Sequence, residues 1–134
     1  MLQERRVVIT GLGAITPLGN SLQEFWENAF AGKSGASEIT HFDASLFKTR
    51  FACEVKNFSP EDFNIDRKEI RKTDKFTQFA LAATYEALAD SKLDLDKISP
   101  YDIGVIWGSG EGGMQTYEAE VKNYIHTNCT PKFN

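Results

Sequence analysis

The sequence contains no apolar run approaching the ~18 residues needed to cross a membrane as a helix. Its opening, Met1-Leu2-Gln3-Glu4-Arg5-Arg6, is too polar to lead into the apolar core of a secretion signal. A cytoplasmic location without membrane attachment is therefore expected. Cysteine is scarce: Cys53 and Cys129 cannot build a disulfide framework and lack the paired spacing of a zinc site. This favours a reducing compartment and argues against bound metal. Histidine is equally sparse, and neither His41 nor His126 has partners for a Ser-His-Asp arrangement. Cationic excess is lacking too, with 15 Lys and Arg against 19 Asp and Glu. A dedicated nucleic-acid binder, which must neutralise many phosphates, is excluded by that balance, so any basic patch is local.

What is present is 134 residues, 41% of them hydrophobic, without internal repeat, low-complexity tract or linker. Residues 1–134 read as one globular unit or part of one. Residues 5–10 are a β-branched run closed by Gly11-Leu12-Gly13, as expected for a buried strand and tight turn. Ser21 with Glu24 forms a capping box, and Leu22, Phe25, Trp26, Ala29 and Phe30 recur at helical spacing until Gly32. Residues 50–56 alternate, with Phe51, Cys53 and Val55 on the face expected to be buried. Phe76, Phe79, Ala80, Ala83, Ala87 and Leu88 predict a long core helix capped by Thr73 or Asp74. Residues 102–107 predict another strand, in the same sheet as residues 5–10. A further helical stripe follows through Met114, Tyr117, Val121, Tyr124 and Ile125. Strands interleaved with helices indicate the α/β class.

The six residues 108–113 match Gly-x-Gly-x-x-Gly between a strand and a helix, the placement of a dinucleotide site. Glu111 would set a carboxylate against the phosphates, and no acidic ribose ligand follows. The turn at Gly11 is no better, because Pro17 interrupts the place of a phosphate-binding helix. Lys68, Arg71 and Lys72 fall at i, i+3 and i+4, one face of a helical turn. They read either as a solvated surface or as a site for an acidic partner. The start of the following helix disfavours positive charge by about 0.3–1 kcal/mol each, a cost an acidic partner would offset. Cys53 reads as a small core residue and Cys129 as an incidental surface thiol.

The order of residues carries more. Residues 5–20, Arg-Arg-Val-Val-Ile-Thr-Gly-Leu-Gly-Ala-Ile-Thr-Pro-Leu-Gly-Asn, resemble the opening of bacterial β-ketoacyl-acyl carrier protein synthases of the chain-elongating type II kind. The similarity continues through His41-Phe42-Asp43 and the Arg67-Lys68-Glu69-x-Arg71-Lys72-x-Asp74 segment. It resumes at Gly108-Ser109-Gly110-x-Gly112-Gly113 and closes at Thr130-Pro131-Lys132-Phe133-Asn134, so nearly the whole chain is covered. The resemblance implies a thiolase-like, α-β-α-β-α layered fold, of which this chain holds the first part of the N-terminal half. It implies a homodimer without cofactor that condenses an acyl thioester with malonyl-acyl carrier protein. The family's nucleophilic cysteine and two histidines belong to motifs not found here, so neither Cys53 nor Cys129 inherits a catalytic role and the chain alone is expected to be inactive. Lys68, Arg71, Lys72 and Lys132 match basic positions that dock the carrier protein, which displaces the solvated-surface reading. Gly108, Ser109, Gly110 and Glu111 match a border of the acyl pocket, where the family usually has an apolar residue in place of Glu111. The alternatives are a non-catalytic partner resembling a chain-length factor and a nicotinamide-dependent oxidoreductase.

Overall fold

In the computed structural model, residues 6–130 are described. Helix α1 spans Leu22–Phe30, and a two-residue antiparallel ladder joins β1, Ser37–Glu38, to β2, Phe51–Ala52. A 3-10 turn at Pro60–Phe63 leads to α2, Arg67–Lys72, and α3, Lys75–Ser91. Two more 3-10 turns, Leu95–Lys97 and Pro100–Asp102, precede the extended residues 103–107 and α4, Met114–His126.

The N-terminus of α1 forms as its capping residues dictate. The Ser21 hydroxyl accepts from the Glu24 amide at 3.2 Å, while the Glu24 carboxylate accepts from the Asn20 amide at 2.8 Å. At the other end Gly32 takes φ +66° and donates to the Ala29 carbonyl, closing the helix.

Helix α3 organises the rest. Ala82 and Ala83 are buried on it, and Gly11 and Gly13 lie directly against its backbone. A Cβ at Gly13 would stand 2.0 Å from the Ala83 carbonyl oxygen, and one at Gly11 2.2 Å from that of Ala87. The two glycines thus match two alanines one helical turn apart. Carboxylates of the same helix hold the loop in place. Asp90 accepts from the Leu12 amide at 2.9 Å, and Glu86 accepts from Ala14 at 2.8 Å and from Leu22 at 2.7 Å. Glu86 therefore caps the first residue of α1 from another helix, with charge-assisted bonds. Elsewhere Phe58 stacks on Phe63 and meets Phe79 of α3 edge-on, with ring centroids 5.4 and 4.8 Å apart.

Three expectations are corrected. Residues 6–10 and 102–107 do not share a sheet: neither segment is in a strand, and Val7 and Ile106 are 93% and 98% exposed. Thr10 and residues 103–107 instead line an apolar groove of about 830 Å³ together with Ala83, Ala87 and Leu88 of α3. A strand needs neighbours to satisfy its backbone groups, and the described residues supply none to these segments. Arg5 lies outside the described residues.

The second correction concerns residues 50–56, which form a strand only at Phe51–Ala52, with Ala52 and Glu54 turned inward while Val55 is half-buried and Lys56 exposed as expected. Phe51 and Cys53 are exposed, whereas the Glu54 side chain is 9% exposed. Glu54 turns in because Thr40 satisfies it, donating from its hydroxyl at 2.7 Å and from its amide at 3.1 Å. The third is partial: Asp74 stands at the N-cap of α3 as expected but makes no side-chain capping bond there, and Thr73 terminates α2 instead.

Two predictions follow from these contacts. Gly13→Ala should cost about 1–3 kcal/mol or more, since helix backbone blocks the added methyl, whereas Gly110→Ala, with nothing within 4 Å of the new atom, should stay within ~0.5 kcal/mol. Urea denaturation of both variants checks the contrast. The Thr40 hydroxyl, then its amide and the charge of His41, hold Glu54 below its ordinary value of 4.5. Its stabilising contribution is thus present above that value and is lost as pH falls through the lower, folded one. Glu54→Gln should lower the denaturation midpoint at pH 7 and flatten its decline toward pH 3; an unchanged acid slope would remove Glu54 from the account.

Candidate functional site

Helix α2 has only six residues, too few to persist alone, and its surroundings hold it. Ile65, 4% exposed, anchors the chain just before it, and the Asp66 carboxylate accepts from the Lys68 amide at 2.7 Å. At the far end the Thr73 hydroxyl donates to the Glu69 carbonyl at 2.6 Å, and Thr73 itself turns extended. Lys68, Arg71 and Lys72 are all exposed, and none forms an ion pair among the described residues. The expected cost of these charges is revised by this break. Arg71 and Lys72 occupy the last turn of a separate helix, whose C-terminal carbonyls favour cations.

The glycine turn sits close by. Ser109 donates from its hydroxyl to the Glu111 carbonyl at 3.1 Å, and Gly108, Ser109, Gly110 and Glu111 are all exposed. Gly113, at φ +71°, caps α4 in the left-handed conformation. A Cβ at Gly112 would lie 2.9 Å from the Phe76 ring, and one at Gly113 2.9 Å from the Asp74 carboxylate. Asp74 also accepts from the Thr116 hydroxyl. The basic helix and the glycine turn, 36 residues apart from Lys72 to Gly108 in the sequence, therefore meet at residues 73–76. The apolar groove is lined up to Trp107, so residues 108–111 continue from its wall without lining it. Lys132 lies outside the described residues.

Neither cysteine is placed for nucleophilic work. Both are exposed, and Cys129 follows the C-terminal end of α4, donating its amide to the Tyr124 carbonyl at 2.9 Å. That end of a helix disfavours a thiolate, which is stabilised at the opposite end. Residues 102–107 are not a strand, so the glycine turn also lacks the setting of a dinucleotide fingerprint.

Sequence reasoning passed over Gln78, Glu86 and Asp90, the polar side chains that tie loops to α3. The signal for the last two was available: carboxylates four apart on a helix whose neighbouring positions are alanine.

Among solved structures, the ishigamide ketosynthase/chain length factor superposes over 94% of this chain and 31% of its own, with a TM-score of 0.77 and 30% identity. The type II PKS acyl-carrier protein complex AntDE:AntF, with its ketosynthase bound to the hexaketide, gives 0.70 and 27%, covering 94% and 32%. The fold is that of the thiolase-like ketosynthases. Residues 4–132 match the family described as beta-ketoacyl synthase, N-terminal domain, and the chain belongs to it. The 3-oxoacyl-[acyl-carrier-protein] synthase 2 of Staphylococcus aureus (strain COL) is 48% identical over 125 residues, 93% of this chain and 30% of the relative. That of Synechocystis sp. is 45% identical over 117 residues, 87% and 28%. The chain thus spans under a third of the length of these curated relatives.

Proposed function

We propose that the protein carrying this domain is a 3-oxoacyl-acyl carrier protein synthase. It condenses an acyl group, held as a thioester on a cysteine, with malonyl-acyl carrier protein: the malonyl unit loses carbon dioxide, its α-carbon bonds to the acyl carbonyl, and the cysteine leaves as thiolate. The observation that carries this is the 48% identity over 93% of the chain with a synthase of that name. The cysteine of that step is neither Cys53 nor Cys129, given their exposure and the position of Cys129 at a helix C-terminus. Residues 1–134 alone therefore form no ketoacyl product; a synthesis assay on the purified chain that yields product would reverse this. A second reading, a non-catalytic chain-length-factor-like partner, draws support from the likeness to a ketosynthase/chain length factor. A full-length protein that binds carrier protein but never becomes acylated would establish it.

Lys68, Arg71 and Lys72 dock the acidic carrier protein, joined by Lys132. The support is their resemblance to family positions together with three exposed charges on one short helix, unpaired among the described residues. Gly108, Ser109, Gly110 and Glu111 border the acyl pocket. The intact enzyme is a cytoplasmic homodimer; no described helix is long and apolar enough to cross a membrane.

In the full-length protein, replacing Lys68, Arg71 and Lys72 by Glu should weaken carrier-protein binding on the order of tenfold or more, leaving reaction with a small free thioester unchanged. The wild type should lose affinity steeply with added salt because exposed charges are screened over ~8 Å at physiological ionic strength. The triple variant should have lost most of that dependence. Titrations from low to physiological salt make the comparison, and a variant that keeps both affinity and slope removes the docking assignment.

A further inference from the structure

Gln78 is the one polar residue buried as a whole among the described residues, 8% exposed in the second turn of α3. Its amide nitrogen donates to the Ile70 carbonyl at 3.1 Å and to the Thr73 carbonyl at 2.8 Å. A primary amide has two N–H donors, and both are used here. The acceptors lie in the last turn of α2 and at its terminating residue. The last carbonyls of a helix have no partner within it. Those of Glu69 and Ile70 are satisfied by the Thr73 hydroxyl and by Gln78. The first bond is local to α2, whereas the second reaches a different helix.

We propose that Gln78 is a positioning residue for carrier-protein docking, fixing the end of α2 that bears Arg71 and Lys72 against α3 so that the cationic face is ordered before a partner arrives. This rests on the docking reading of Lys68, Arg71 and Lys72. A six-residue helix is below the length that sustains itself. If its last turn were ordered only a fraction of the time, the apparent affinity of any ligand needing that turn would fall by the same fraction. Gln78 touches no partner itself; it acts by keeping that fraction near one.

The test compares, in the full-length protein, wild type, Gln78→Met and the Lys68, Arg71 and Lys72 to Glu triple variant, using a purified acidic acyl carrier protein as the probe. Gln78→Met keeps the bulk of the side chain and removes both donors. Its affinity should fall by about tenfold, while its salt slope stays that of the wild type because every charge remains. A lost contact charge, by contrast, would lower the slope. Amide hydrogen exchange supplies a readout independent of binding. Protection in Gln78→Met should fall at residues 70–74 and persist at Ala82 and Ala83. Wild-type affinity in Gln78→Met alongside lost affinity in the triple variant would overturn the role of Gln78 and leave the docking surface standing. Equal affinity in all three proteins would overturn the docking surface itself. Protection lost equally through α2 and α3, or unchanged in both, would overturn the positioning role whatever the affinities.

Discussion

The contact between residues 11–22 and one side of α3 constrains the rest of the chain. Two opposing requirements meet there. The loop backbone must approach the helix closely enough that a methyl group at Gly13 would collide with the Ala83 carbonyl. Its own N–H groups, withdrawn from ladder pairing, must still find acceptors. Alanine at 83 and 87 answers the first by leaving the helix surface low, and the carboxylates of Glu86 and Asp90 answer the second. Because Glu86 binds the first amide of α1 as well, the same side chain sets where α1 starts. The order of dependence is thus α3 first, then the loop, then α1.

The two candidate surfaces depend on α3 in another way. Thr73 and Asp74 form a short extended junction that ends α2, begins α3 and receives the start of α4 through the Thr116 hydroxyl. Residues far apart in sequence are brought to one end of the long helix without a pocket enclosing them. Such an arrangement suits a protein partner that covers a surface, with binding energy drawn from several exposed contacts rather than from one deep anchor.

Local chemistry made the helices legible. Ser21, Glu24 and Gly32 mark both ends of α1, and the alanine stripe announces α3. The order of family motifs pointed to the thiolase-like fold, and the i, i+3, i+4 spacing of Lys68, Arg71 and Lys72 to the basic face. What misled was any inference that needed a neighbour. Residues 6–10 and 103–107 have the composition of strands, but a strand is completed by pairing, which composition cannot supply. Alternation over residues 50–56 was real, yet the polar side chain turned inward, because Thr40 offered Glu54 a hydroxyl and an amide that no pattern within the segment foretells. Gln78 was invisible for the same reason: a glutamine reads as surface until two carbonyls from another helix are found beside it.

The two extended segments, residues 6–10 and 103–107, also differ from protected sheet edges in composition. Residues 103–107, Ile-Gly-Val-Ile-Trp, carry no charge, and residues 6–10 carry only Arg6. Natural sheets protect open edges with lysines, prolines or bulges that discourage a second chain from adding itself. Neither segment contains a proline or a lysine, so neither carries the residues that guard an exposed extended backbone.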